Sequence, residues 1–158
     1  PSSSSFLKHV ISSLRTKFCM TDLGHLHHFL GIAVSRSSTG LFLSQRQYAL
    51  DILSKAGMLD CHPMCTPADT GSKLSSSGEP LPDPTLYRSL TGALQYMTLT
   101  RPELAYSVQQ ACLYMHDPRL PHYNHVKRIL RYLKGTLDHG LLINTSSPLT
   151  LTAYSDAD

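Results

Sequence analysis

The chain has 158 residues, 41% of them hydrophobic, and a net charge of +3. That is room for one ordinary domain, or parts of two, with a buried core, and it argues against disorder. So small a charge does not by itself indicate a nucleic-acid partner, no apolar run approaches a membrane span, and the N-terminus lacks a signal-peptide pattern.

Without a secretory route, the cysteines Cys19, Cys61, Cys65 and Cys112 are expected to be reduced in an intracellular protein. The sequence lacks an initiator Met and stops in mid-pattern at Asp158, as a fragment would. Pro1 to Ser5 form a polar lead-in that can cap a helix. Leu7, Val10, Ile11, Leu14 and Phe18 then mark one apolar face of a helix over 6–17, suited to covering a sheet. His25, His27 and His28 follow Gly24. No Cys or carboxylate is placed to complete a tetrahedral metal site with them, so they read as solvent-facing or packed.

The stretch 29–44 reads as a β-hairpin turning at Ser37-Ser38-Thr39-Gly40. Gly31 inside its first strand implies a bulge or a close backbone approach. Ser44 and Gln47 have the spacing of a capping box for the next helix. Its apolar face is Tyr48, Ala49, Ile52, Leu53 and Ala56, with Asp51 and Lys55 as an i,i+4 pair and Gly57 as its end. Residues 63–84 turn rich in Pro, Ser and Gly, a surface loop whose length implies function or mobility. Cys61 and Cys65 at its entrance lack a second Cys/His pair at zinc spacing.

Asp83-Pro84 caps a helix carrying Leu86, Leu90, Ala93, Leu94 and Met97. Thr100 and Glu103 suggest a second capping box around Pro102, opening a helix that buries Leu104, Val108, Ala111, Cys112 and Met115. A third helix spans 121–134, from Pro121 at its first position to Gly135 just past its end. Three helices with short joints favour a small antiparallel bundle. Beyond Gly135, Leu141 to Ile143 and Leu149 to Tyr154 alternate as strands. Asp156 and Asp158 would share one side of an extended strand. Paired carboxylates there can hold a divalent cation, although as they stand they also read as surface acids.

The last helix carries the chemistry. Arg119, Lys127, Arg128, Arg131 and Lys134 lie between Pro118 and Leu137 with no Asp or Glu among them. Val126, Ile129, Leu130 and Leu133 form the apolar side. Lys127, Arg131 and Lys134 line up on another, with Arg128 at the stripe's edge. One reading is a solvated face with cations favoured by the helix dipole. The other is a basic rail for a phosphate backbone, with Tyr123 and Tyr132 available to pack on sugar or base.

The series TDLGHLHHFLGI, GLFLSQRQYALDIL, TPAD, DPTLYRSLTGALQYMTLTRPELAYSV, HVKRILRYLKGT and LTAYSDAD resembles the Pol polyprotein of copia-type LTR retrotransposons, especially those of plants. The resemblance covers almost the whole chain, in order. It implies an α+β fold: a helix plus β-hairpin ending a reverse transcriptase palm over 1–44, a small helical bundle forming a thumb over 45–136, and the first strands of an RNase H-like domain over 137–158. The hairpin would be the primer grip, with Gly31 allowing close approach to the primer backbone. Lys127, Arg128, Arg131 and Lys134 would clasp the template–primer by its phosphates. Asp156 would be the first RNase H carboxylate, a catalytic and Mg²⁺-binding residue once further carboxylates complete the site.

The implied partners are RNA–DNA hybrid, DNA duplex and the remaining palm and RNase H parts of the polyprotein, without a membrane. The implied location is cytoplasmic, in a virus-like particle. His25, His28 and the Tyr123-Asn124-His125 run depart from the usual family pattern. The catalytic Asp pair of the polymerase is not in the sequence, so polymerisation by the chain alone is not expected. Two alternatives stand beside this reading: a non-catalytic nucleic-acid-binding module, and an inactive genomic remnant forming a helical interaction domain.

Overall fold

Apolar spacing in the middle of the chain dictates a set of helices that share one core, and the computed structural model shows it, describing residues 4–21, 23–69 and 74–145. Helix α2 (Arg46–Lys55), α3 (Pro84–Met97), α4 (Ala105–Cys112) and α5 (Leu120–Gly135) pack against one another. Leu53, Leu90, Leu94, Leu104, Ile129, Leu130 and Leu133 are wholly buried between them. Burying such a side chain fully is worth about 1.5–3 kcal/mol, so this cluster dominates stability. The bundle therefore has four members, with α2 added to the expected three.

The second unit is a four-stranded antiparallel meander in the order β1 (His28–Phe29), β2 (Ile32–Arg36), β3 (Gly40–Ser44) and β4 (Leu141–Asn144). Strand β3 runs almost directly into α2, and the side chains of Arg46 and Asp138 form an ion pair just beyond the paired ends of β3 and β4. Tyr96 of α3 donates its hydroxyl to Leu30 O at 2.7 Å and ties the β1–β2 tip to the helices. The described residues are thus a mixed α and β structure, five helices with an antiparallel sheet.

Several local expectations are corrected. Phe29 and Ile32 are register partners, so Gly31 sits in the two-residue turn between β1 and β2 and not inside a strand. Leu30 and Gly31 both have positive φ, 48° and 81°, as a tight turn of this hand requires. The Ser44–Gln47 capping box does not form. Gln45 is the cap residue, but its side-chain oxygen accepts from buried Thr100 and is not available to the helix end. Gln47 instead donates to Asp51 at 3.0 Å, and Lys55 reaches Ser89 on α3.

The Thr100–Glu103 box is absent for the same reason. A short 3-10 turn over Pro102–Leu104 precedes α4, and Glu103 pairs with Arg101. The α3 cap is as expected, with Asp83 accepting from Thr85 N and Leu86 N at 3.0 and 2.9 Å. Helix α1 (Ser4–Lys17) begins near its expected start but buries none of its residues, so among the described residues it covers no sheet. The strand expected at Leu149 to Tyr154, with Asp156 and Asp158, lies outside the described residues.

Candidate nucleic-acid interface

Helix α5 is anchored at its N-terminus by a histidine the sequence did not single out. His122 is wholly buried. Its Nδ1 accepts the Arg119 backbone N–H at 3.0 Å, which leaves the proton on Nε2, and Nε2 donates to Ser75 O at 2.8 Å. Its ring stacks on Tyr114 at 3.8 Å, and the Tyr114 hydroxyl donates to Leu74 O at 2.8 Å. The second half of the 63–84 loop is therefore stitched to the entry of α5. Leu81 N to Pro118 O and Leu120 N to Glu79 O complete that seam.

At the other end, Arg101 is almost wholly buried and closes the helix. It donates to Thr136 O at 2.9 Å and to Thr136 Oγ1 at 2.6 Å, with Glu103 as its counter-ion at 2.6 Å. A cation at a helix C-terminus is favoured by the dipole, and here three donors are also satisfied. No sequence signal around Thr100 singled this arginine out, because its partner Thr136 is 35 residues away.

Between these anchors the basic stripe keeps its expected order but not its expected surroundings. Lys127 is exposed and lies 4.7 Å from the centre of the Tyr123 ring. Lys134 is half-buried. The two arginines are engaged by residues 62–69, which run along α5 as a strap. Arg131 Nε donates to His62 O at 2.7 Å, and Arg131 O accepts from Met64 N at 3.2 Å. Arg128 donates to Thr66 Oγ1 at 2.9 Å and pairs with Asp69 at 3.4 Å. A groove of about 930 Å³ opens beside them, walled by Met58, Met64, Leu74, Tyr106 and the three cations Lys127, Arg128 and Arg131.

Gly31 is placed elsewhere, at the hairpin tip against α3, whereas the α5 cations meet the strap, so the described residues do not bring the two expected sites together. Nothing crowds the position a Gly31 Cβ would take, so the glycine serves the turn and leaves the tip open. Among the described residues no group of three or more His, Cys, Asp or Glu could hold a metal ion, and no helix is long and apolar enough to cross a membrane. Asp156 lies outside the described residues. Burial pushes the Cys112 thiol up, away from the thiolate a nucleophile needs. The chemistry on offer is donation of charged N–H groups to an anion.

Residues 1–70 match the family model of reverse transcriptase (RNA-dependent DNA polymerase). The retrovirus-related Pol polyprotein from transposon RE2 of Arabidopsis thaliana is 48% identical over 96% of this chain, and that from transposon TNT 1-94 of Nicotiana tabacum is 35% identical over 92%. Over almost its whole length the chain resembles these retrotransposon Pol polyproteins. An uncharacterised mitochondrial protein of Arabidopsis thaliana is also 48% identical, over 99% of the chain. The chain spans 65% of that mitochondrial relative's length, and 10% and 12% of the two polyproteins. No solved structure matches it. The reverse transcriptase match takes in α1, β1 to β3, α2 and the strap. Helices α3 to α5 lie beyond it, in the part shared with the Pol polyproteins.

Proposed function

We propose that this chain is a region of a retrotransposon Pol polyprotein and grips nucleic acid during reverse transcription. Helices α2 to α5 act as a thumb that clasps template–primer duplex, and the strands over 28–44 act as the primer grip with the Leu30–Gly31 turn at its tip. The observation that carries this reading is the α5 stripe: four cations on a helix whose opposite side is locked into the core. Phosphate contacts of this kind position a duplex without reading its sequence. The open tip at Gly31 is consistent with close approach of a backbone.

The reverse transcriptase family generally uses a divalent metal such as Mg²⁺. The described residues do not fit such a site. Asp156 is the residue we assign to it in the RNase H-like part that would begin in 137–158, together with carboxylates of the whole polyprotein. Its substrates would be RNA–DNA hybrid and DNA duplex, its partners the other palm and RNase H parts, and its location the cytoplasm, in a particle.

Arg128 and Arg131 also hold the strap, so the clean test removes the two lysines of the stripe. Lys127→Ala with Lys134→Ala should weaken binding of an RNA–DNA hybrid and lower the log–log salt slope by about 0.7–0.9 for each phosphate no longer neutralised. Helical content by circular dichroism should not fall, because alanine favours helix and both residues lie off the apolar face. Unchanged hybrid binding across the salt range would reduce the stripe to a solvated face.

A further inference from the structure

The strap over 62–69 is fixed to α5 in two different ways along its length. Its first half is held through the backbone, by Met64 N to Arg131 O and by the His62 carbonyl under Arg131 Nε. Pro63 there lies against Gly135, where an added Cβ would stand only 3.0 Å from the proline ring. Its second half is held to Arg128 by side chains, Thr66 at 2.9 Å and Asp69 at 3.4 Å. The Asp69 side chain is 59% exposed, and the pair is long. Such a pair is weak and readily exchanged. The Arg128 guanidinium is only partly satisfied by it, because its Nε is buried without a partner.

We propose that Asp69 is an internal stand-in for a phosphate, which occupies Arg128 until a nucleic-acid backbone displaces it. A guanidinium presents its donors as a planar fork that suits a phosphate better than one oxygen of a distant carboxylate. Exchange moves the 66–69 half of the strap and leaves the 62–64 half in place. It also removes the only acid that the described residues place in the groove beside Lys127, Arg128 and Arg131. Arg128 therefore binds phosphate only after the exchange, and the free chain binds duplex more weakly than its stripe would otherwise allow. This rests on the reading of α5 as a phosphate-binding helix.

The test is a double-mutant cycle in the 158-residue chain, with binding of a labelled RNA–DNA hybrid followed across a salt series. Asp69→Asn should tighten binding about fivefold at low salt, the scale of an exposed ion pair. It should also steepen the salt slope by about 0.7–0.9, as one further neutralised phosphate would. Both gains should vanish when Asp69→Asn is made in an Arg128→Ala background. In the unaltered chain, hybrid should speed amide exchange at 66–69 and not at 62–64. If Asp69→Asn binds no more tightly, or gains as much without Arg128, Asp69 is not a phosphate stand-in, though α5 can still bind duplex. If neither the unaltered chain nor Asp69→Asn binds hybrid at the lowest salt, both readings fall together.

Discussion

Tyr87 shows how much one side chain can determine. It is wholly buried in the helical core, and its hydroxyl donates to Ala111 O at 2.8 Å, joining α3 to the last turn of α4. Burial pushes its phenol up from the ordinary 10.0 to about 12. The native state thus holds that proton more tightly than the unfolded chain does. Its contribution is complete below pH 10 and is lost as the pH rises from 10 to about 12, on the order of 3 kcal/mol in all. Denaturant titrations from about pH 9 to about pH 12 should show stability falling over that window. Tyr87→Phe should cost about 1 kcal/mol at neutral pH and flatten the alkaline decline. An equally steep decline in the variant would place the titrating group elsewhere. Little of this was legible in the sequence: Tyr87 was not among the apolar positions read for its helix, and its acceptor is 24 residues away with no local signature.

Among the elements, β4 depends most on a single position. An added Cβ at Gly40 would stand 2.0 Å from Ile143 O, inside the ladder that pairs β3 with β4. The expected reason for glycine there was the turn. The close approach of a distant strand is a second and stricter reason. Gly40→Ala should release Leu141–Asn144 from the sheet at a cost of about 1–3 kcal/mol. Hydrogen exchange at those amides should quicken while the amides of α3 and α5 keep their protection. Slow exchange in β4 of the variant would mean that the strands can part without separating.

Helix spans were largely legible because their apolar spacing is set by nearest turns. The α3 cap was legible because Asp83 has no competing side-chain partner among the described residues. The α2 and 3-10 starts were misread because Gln45 and Thr100, 55 residues apart, bond each other across the core. The stripe on α5 was legible as a line of charge. The strap over it was not, because nothing local in 62–69 points to Arg128 or Arg131.

At the scale of the whole molecule, α1 stands apart from the stability of the rest. Phe6 is 64% exposed, Leu7 56% and Phe18 62%, and no residue of α1 is buried. A contiguous apolar face of this kind marks an association surface. Leu7→Ser with Leu14→Ser should reduce self-association in sedimentation. The stability of the core should stay within about 0.5 kcal/mol, as for surface changes away from packing. A large loss of stability would show that α1 is packed in solution.

The pairing of β3 with β4 has a consequence for how the chain is assembled. Residues 45–140 leave the sheet from one strand and return to the strand beside it, with Leu43 opposite Leu141. The four-helix body is therefore an insertion carried on a two-stranded stem. For an unfolded segment of about a hundred residues, bringing such distant ends together is entropically unfavourable. A body already folded around its own core delivers both ends to the same place and removes most of that penalty. Helices should accordingly form first and the stem should zip afterwards, β4 last. Once zipped, the stem is the strand pair that joins the two ends of the insertion, so a twist of β4 against β3 would turn the entire helical body, and the cations of α5 with it, as one piece.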